Sequence, residues 1–331
     1  MKAVRAVAAG GPGVLETADV AVPEPGPRDV QIAVRLAGVN FADVNARRGT
    51  YRAPGGPAPR GLGLDLYGEV RAVGAAVTRL RTGQRVAGFA ATPAYAEVAV
   101  AHADLVWPVP DEVSDEAAAS YPVVGQTAYH LLKTAARLRD GESVLVTAAA
   151  GGVGATAIQV ARLLGAGTIV GAAGSPERAA EAVARGADAG VDYSASGVAE
   201  GMAAAAAAHA VDVALDGVGG AVRRGAFHCL NPFGRLVHFG NASGEPEELP
   251  TARTLRERGI TVVGFHLQTL RERRRGLLAD GARHLLAWLA DGRLTIPVAD
   301  VLPLNRAADA HRLLESRRVS GKLLLSIGPS R

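Results

Sequence analysis

Ser143-Val144-Leu145-Val146-Thr147-Ala148-Ala149-Ala150-Gly151-Gly152-Val153-Gly154-Ala155-Thr156-Ala157-Ile158 changes character twice in a short length of chain. Ser143–Thr147 is a short apolar run of strand length. Ala155–Leu164 has helical spacing, with Ile158, Val160, Ala161 and Leu164 available to pack and Gly165 placed to end it. Between them lies a glycine-rich turn. A glycine string alone says little, but a strand before it and a helix after it give it meaning. In the G-x-G-x-x-G frame, Ala149 holds the first place, Gly151 the second and Gly154 the third. Gly151 lets a pyrophosphate approach the backbone, and Gly154 lets the helix pack on the strand. The first N–H groups of the helix then face the phosphates with a partial positive charge. Ala150, Gly151, Gly152, Val153 and Gly154 are therefore candidate dinucleotide-binding residues. The competing reading is a tight turn with no ligand; the flanking elements favour the ligand.

The same alternation continues downstream. Thr168–Ala173 reads as a strand. Ser175 suits an N-cap and Pro176 the first helical position, so Pro176–Arg185 reads as a helix ended by Gly186. Val211–Asp216, Arg235–Gly240 and Ile260–Phe265 extend the strand series, and the alanine run Met202–Ala208 reads as helix. Strand, helix, strand in repetition predicts an α/β fold with a doubly wound parallel sheet. NAD binders usually carry Asp or Glu at the end of the second strand, to accept from ribose hydroxyls. Here that end reads Gly171-Ala172-Ala173-Gly174-Ser175, with no acid, and Arg178 follows. A missing carboxylate beside a cation fits a 2′-phosphate, hence NADPH held by Ser175 and Arg178. The plainer reading of Arg178 is a solvated helix residue.

Upstream the texture differs. Lys2–Ala8, Asp29–Ala37, Leu66–Val73, Arg85–Ala90 and Ala94–Val100 read as short strands cut by Gly and Pro, a β-rich pattern. After about residue 268 a long helical stretch reads as broken by Gly276 and Gly281, and the end reads as helix Ala307–Arg317, then strand Lys322–Ile327. The expected division is 1–122, 123–267 and 268–331. The last segment returns to the first domain, so the nucleotide domain is an insertion in the sequence. Arg271, Arg273, Arg274 and Arg275 are interrupted by Glu272 and read as a solvated helix face, not a nucleic-acid surface.

Composition closes off other classes. The chain has 331 residues, 48% hydrophobic and 21% charged, too apolar for a disordered chain. A net charge of +4 is mild, and Lys2, Lys133 and Lys322 are the lysines against many arginines, so no nucleic-acid partner is expected. Cys229 is the one cysteine, which excludes an internal disulfide and any zinc site built on several thiolates. No apolar run approaches the roughly 18 residues of a membrane span, and the start lacks a signal peptide's apolar core. The expected setting is cytoplasm, with no membrane partner.

Three segments carry a resemblance: Gly38-Val39-Asn40-Phe41-Ala42-Asp43, Ala148–Gly154 and Phe239-Gly240-Asn241-Ala242-Ser243-Gly244. Together they resemble the zinc-independent quinone oxidoreductases, the zeta-crystallin-like branch of the medium-chain dehydrogenase/reductase superfamily. Gly264-Phe265-His266-Leu267 also looks like the vesicle amine transport protein branch. The resemblance covers essentially the whole chain. It implies a GroES-like catalytic domain over 1–122 and a Rossmann NADPH-binding domain over 123–267. Zinc-dependent relatives place a Cys ligand at or near Asn40 and a Gly-His-Glu segment where this chain has Gly63-Leu64-Asp65. Leu64 cannot ligate, so no metal is expected, and alcohol oxidation by Lewis-acid activation is disfavoured.

The resemblance implies hydride transfer from NADPH to a quinone or an α,β-unsaturated carbonyl, in one cleft between the domains. Such acceptors are polarised unaided, so the protein's task is positioning and exclusion of water. By the same match Asn40 and Thr127 lie near the nicotinamide, and Tyr51 borders the cleft, where its phenol could stack on the cofactor or donate to substrate. The plainer readings are a loop-stabilising asparagine, an ordinary helix threonine and a half-buried loop aromatic. Tyr193 would flank the adenine or its phosphate. Gly217, Val218, Phe239, Gly240, Asn241 and Phe265 would border the cofactor, with Gly217 where relatives often have serine. Strand C-terminal ends bind ligands in such sheets, which supports these positions independently. Arg317 would add a phosphate contact. Lys322 reads as a cap of the closing strand, and Asp65 as a proton donor only if buried. A homodimer through Ile260–Phe265 is implied. Two rival readings remain: a tailoring reductase of an enoyl thioester or natural-product intermediate, and an NADPH-binding protein with a mainly structural or RNA-binding role.

Overall fold

A computed structural model describes residues 1–50, 60–194 and 197–328. Two units emerge: Met1–Gln126 with Thr269–Arg331, and Thr127–Gln268. The first stretch carries β1 (Lys2–Ala6), β2 (Leu15–Asp19), β3 (Asp29–Val39), α1 (Phe41–Arg48), β4 (Arg60–Gly61), β5 (Asp65–Val73), β6 (Arg85–Phe89), β7 (Val98–His102), β8 (Val106–Pro108) and α2 (Asp115–Ser120). From there the chain runs through α3 (Gln126–His130), β9 (Val144–Thr147), α4 (Gly152–Leu163), β10 (Ile169–Ala173), α5 (Pro176–Ala184), β11 (Ala189–Asp192), α6 (Val198–Ala208), β12 (Val211–Asp216), α7 (Gly220–His228), β13 (Leu230–His238), α8 (Ala252–Arg258) and β14 (Thr261–Gly264). The tail holds α9 (Leu267–Arg273), α10 (Arg275–Ala290), β15 (Val298–Pro303), α11 (Ala307–Glu315) and β16 (Lys322–Ser326).

The first unit is built on β3. Its eleven residues pair antiparallel with β5, β7 and β16. The larger sheet runs β15-β16-β3-β5-β6-β8, and β2-β1-β4 forms a small second sheet. Val30, Ile32, Leu66, Val86 and Leu325 are fully buried in one core. Each such side chain contributes about 1.5–3 kcal/mol by leaving water. The β16 ladder joins the end of the chain to its first third. Leu323 opposes Val39, and Ala37 opposes Leu66. Lys322, Asn40 and Asp65, each one step beyond those pairs, therefore meet at one corner of the sheet.

The second unit is a parallel six-stranded sheet ordered β11-β10-β9-β12-β13-β14. The order reverses between β9 and β12, the switch point where such sheets bind ligands at strand C-terminal ends. Cys229 is buried in this unit's core, and burial pushes its thiol up to about 11, which leaves it inert.

Several boundaries differ from the sequence reading, and α10 runs unbroken through Gly276 and Gly281, where breaks were expected. β13 begins at Leu230, not Arg235, because an irregularity in the β12–β13 ladder absorbs Pro232 and the left-handed Phe233 at φ 64°. The expected strand Ala94–Val100 is β7, Val98–His102, preceded by an isolated bridge from Ala96 to Ala3. Arg271 corrects the solvated-face reading: it is buried, lies over the Phe89 ring at 4.8 Å and donates to the Ala90 carbonyl at 2.9 Å. Arg273 and Arg274 are exposed.

Candidate functional site

In the second unit the predicted cofactor residues gather at the strand ends. After β9 the chain turns through Ala148, a non-glycine residue held at φ 49°. Gly151 is the N-cap of α4, and no side chain caps that helix. Its first N–H groups are thus left to a ligand or water. A methyl group at Gly154 would lie 2.4 Å from the Ala148 carbonyl oxygen, so only glycine lets helix and turn approach this closely. At Gly151 a methyl would meet nothing nearer than that same oxygen at 3.2 Å, which leaves the outer side of the turn open to an incoming group.

The end of β10 holds the expected companions. The Ser175 hydroxyl accepts from the Arg178 N–H at 3.3 Å and caps α5. Tyr193 donates its backbone N–H to the Ala173 carbonyl at 3.0 Å, and its ring lies 3.3 Å from where a Gly174 side chain would begin. Ser175, Arg178 and Tyr193 therefore share one rim, and no carboxylate stands at the end of β10 itself.

The ends of β12 and β13 are zipped together. Asp216 is fully buried and accepts from Thr147 Oγ1, from the N–H groups of Val218 and Gly219, and from Arg223 Nε at 2.8 Å. Arg223 also donates to the Gly240 carbonyl at 2.7 Å. Ala242 and Ser243 donate to the carbonyls of Gly217 and Val218. Sequence reasoning missed the pair of Asp216 and Arg223; a charged residue closing an apolar strand was the available signal. The Phe239 ring fills the side-chain space of position 217, 2.8 Å from where a methyl there would sit, which accounts for the glycine. Asn241 spends its amide on the Glu245 carbonyl and its oxygen on Ser243. Phe265 follows β14 and donates its N–H to the His238 carbonyl.

In the first unit Asn40 sits in a buried polar cluster. Its Nδ2 donates to Asp65 at 2.7 Å, and Asp43 and the Gly38 carbonyl lie at 3.2 and 3.3 Å. Its Oδ1 accepts from the Lys322 ammonium, which also lies 3.4 Å from Asp65 Oδ2. Asp43 further accepts from the N–H groups of Asn40 and Gly63. A side chain at Gly38 would collide with Asp65 Oδ1 at 2.4 Å. Lys322 is 3% exposed and Asp65 0%, so the ammonium is a core ion rather than a strand-end cap. Burial and the neighbouring Asp65 push the Asp43 carboxyl up to about 7. Beyond Asp43, Tyr95 Oη lies 3.3 Å from His311 Nε2, and His311 Nδ1 lies 3.3 Å from Arg47. Arg47 pairs with Glu315 at 2.6 Å. An arginine can only donate, so His311 Nδ1 accepts and the ring is neutral. Burial, then the Arg47 charge, holds its pKa down at about 4.

Thr127 is buried at the start of the second unit. Arg317 is exposed in the first unit, in a left-handed conformation (φ 59°) just after α11. Tyr51 lies outside the described residues.

Residues 26–111 match the alcohol dehydrogenase GroES-like domain family, and residues 185–325 the family described as zinc-binding dehydrogenase. A quinone oxidoreductase of Pseudomonas aeruginosa is 37% identical over 98% of this chain and 99% of its own. The chain belongs to the quinone oxidoreductase branch of the medium-chain dehydrogenase/reductase superfamily. The crystal structure of the Escherichia coli quinone oxidoreductase complexed with NADPH superposes with a TM-score of 0.89 at 31% identity, covering 99% of this chain and 100% of that one. The chain also matches 14% of a phenolphthiocerol/phthiocerol polyketide synthase subunit of Mycobacterium tuberculosis, at 33% identity over 96% of its own length.

The zinc implied by one family description meets a poor fit here. Among the described residues no three His, Cys, Asp or Glu side chains converge to hold a metal ion. The oxygens of Asn40 and Asp65 that could face a cation face the Lys322 ammonium instead.

Proposed function

We propose that this oxidoreductase uses NADPH to reduce a quinone or an α,β-unsaturated carbonyl, without a metal ion. The carrying observation is the rim of the second unit: an uncapped α4 N-terminus beside Ser175, Arg178 and Tyr193, with no carboxylate at the end of β10. The N–H groups of Gly152, Val153 and Gly154 would hold the diphosphate, with the helix dipole behind them, while the Gly151 N–H is spent on the Ala148 carbonyl. Ser175 and Arg178 would hold the 2′-phosphate and Tyr193 would flank the adenine. Gly217, Val218, Phe239, Gly240, Asn241 and Phe265 would border the nicotinamide half, with Ala150 beneath the turn. Asn40, Thr127 and Tyr51 are the residues assigned to the reacting end, and Arg317 to a further phosphate contact. The relative crystallised with NADPH supports the choice of cofactor. When bound, that cofactor supplies a hydride.

The rest of the chemistry falls to positioning. A quinone or enone needs no Lewis acid to accept hydride, so the ammonium at the Asn40–Asp65 corner is compatible with turnover where a zinc-dependent alcohol oxidation is not. β14 is a sheet edge in the chain, and an unpaired edge is a template for a second copy, so we assign a homodimer to that strand.

NADPH oxidation measured over quinones, simple enones and enoyl thioesters tests this reading. Turnover with quinones or enones is expected. Turnover confined to enoyl thioesters would favour the tailoring reading, for which the polyketide synthase match speaks. NADPH binding with no turnover on any acceptor would refute the enzymatic reading.

A further inference from the structure

We propose that Arg223 is a positioning residue. It holds the Gly240 carbonyl so that the peptide joining Gly240 to Asn241 presents its N–H, and not its oxygen, to the nicotinamide half of the cofactor. The inference rests on the NADPH reading and deepens it, and it concerns the second unit alone. Arg223 is 2% exposed and Asp216 0%, so this ion pair is not a solvated surface contact. The planar guanidinium fork reaches two acceptors at once: Nε donates to Asp216 at 2.8 Å and Nη2 to the Gly240 carbonyl at 2.7 Å. Nη1 faces the exposed Glu247 at 3.4 Å. In a trans peptide the C=O and the N–H point in opposite directions. With the Gly240 oxygen held on Arg223, the Asn241 N–H is turned away from the buried pair. Among the described residues it has no acceptor. The Asn241 side chain is engaged elsewhere, with the Glu245 carbonyl and the Ser243 hydroxyl.

The neighbouring turn is closed to the same role. The Gly217 N–H donates to Thr147 Oγ1, and the N–H groups of Val218 and Gly219 donate to Asp216. The carbonyls of Asp216, Gly217 and Val218 accept from Phe239, Ala242 and Ser243. A methyl group at Gly240 would lie 2.8 Å from the Gly217 carbonyl oxygen, so the two strand ends meet at a distance only glycine allows. The donors at the end of β12 are thus spent, while those of Gly240 and Asn241 at the end of β13 are not. A nicotinamide ring carries one neutral acceptor, its carboxamide oxygen. An N–H matches that oxygen and a carbonyl repels it, so the direction of this one peptide matters to the ligand.

Arg223→Lys keeps a counter-charge for Asp216 but replaces the fork with a single ammonium on a flexible stem. Asn241 is the one asparagine that follows a glycine, so ¹³C-carbonyl glycine with ¹⁵N asparagine labels the Gly240–Asn241 peptide alone. Without cofactor, the Gly240 carbonyl resonance should move in Arg223→Lys. In the native chain the Asn241 amide should exchange freely with solvent, and NADPH should slow it at least about tenfold by giving it an acceptor. The NADPH Kd should rise about three- to tenfold in Arg223→Lys, the worth of one neutral hydrogen bond. The Kd of 2′-phospho-ADP-ribose, which is NADPH without its nicotinamide, should stay within about twofold, whereas general damage to the unit would weaken both ligands alike. An unmoved carbonyl resonance, a folded Arg223→Lys with native NADPH affinity, or equal losses for the two ligands would overturn the proposal. So would an Asn241 amide that NADPH leaves exchanging, a measurement that needs no variant and stands even where Arg223→Lys fails to fold. A native chain that binds neither ligand would sink the NADPH reading and this inference together; one that binds both and fails any of these tests would sink only the role of Arg223.

Discussion

At the scale of single residues the cofactor rim makes two sharp predictions. Arg178→Ala should raise the NADPH Kd at least about tenfold (about 1.4 kcal/mol) and leave NADH nearly unchanged, measured by fluorescence titration of both. Equal losses for the two would remove Arg178 from the phosphate site. Gly154→Ala puts a methyl 2.4 Å from the Ala148 carbonyl oxygen. Backbone, unlike a side-chain tip, cannot swing aside, so the variant should lose about 1–3 kcal/mol in urea unfolding and bind NADPH more weakly. Both residues were visible in the sequence because a strand, a turn and a helix surround them in the right order. Lys322 and Asp65 were not. Each is a lone charge in an apolar stretch, and such a residue gives no hint of its partner until a strand register brings distant segments together. Gly38 looked like part of a motif, but its reason, the room for Asp65, is a fact of packing alone.

At the scale of elements, α1 and α11 are clasped by a charge pair whose cation is wholly buried. Arg47 is 0% exposed and Glu315 16%. Glu315→Gln leaves the guanidinium buried without its counter-charge and should cost on the order of 3 kcal/mol by chemical denaturation. A loss below about 0.5 kcal/mol, the usual worth of a surface pair, would show that the clasp is solvated. β14 is the second element with a consequence. Charged substitutions at Thr261 and Val263 should shift a dimer toward monomer in sedimentation equilibrium, while the NADPH Kd stays constant. The parallel elements were legible because their turn residues and caps are local, as with Ser175 and Pro176 at α5. The start of β13 was not, because the ladder irregularity around Pro232 and Phe233 depends on the neighbouring strand.

At the scale of the whole molecule, two buried groups joined through Tyr95 set opposing responses to pH. Asp43 is raised to about 7 by burial and the Asp65 charge. Its contribution to stability is complete below the unfolded pKa of about 4 and is lost as pH rises through 7. His311 is lowered to about 4 by burial and the Arg47 charge. Its contribution is complete above about 6.5 and is lost as pH falls through 4. The two slopes, each at most about 1.4 kcal/mol per pH unit, oppose each other between pH 4 and 6.5. Asp43→Asn removes one of them, so its stability should drop more steeply than the native protein's as pH falls from 6.5 to 4. Parallel curves would show that Asp43 is ionised throughout.

The division into a β-rich unit and a parallel-sheet unit follows from where strand-only texture gives way to strand–helix alternation, so it could be read from the chain. The chemistry of the Asn40 corner could not, since it needs both ends of the sequence at once. The claim on which the whole account stands is hydride transfer from NADPH to a quinone or enone in a protein whose site cation is an ammonium. The direct measurement is NADPH oxidation by one such acceptor before and after exhaustive chelation, with metal content determined on the same samples. The account predicts the same rate in both, with no stoichiometric metal. A rate that falls with chelation and returns with zinc would contradict it.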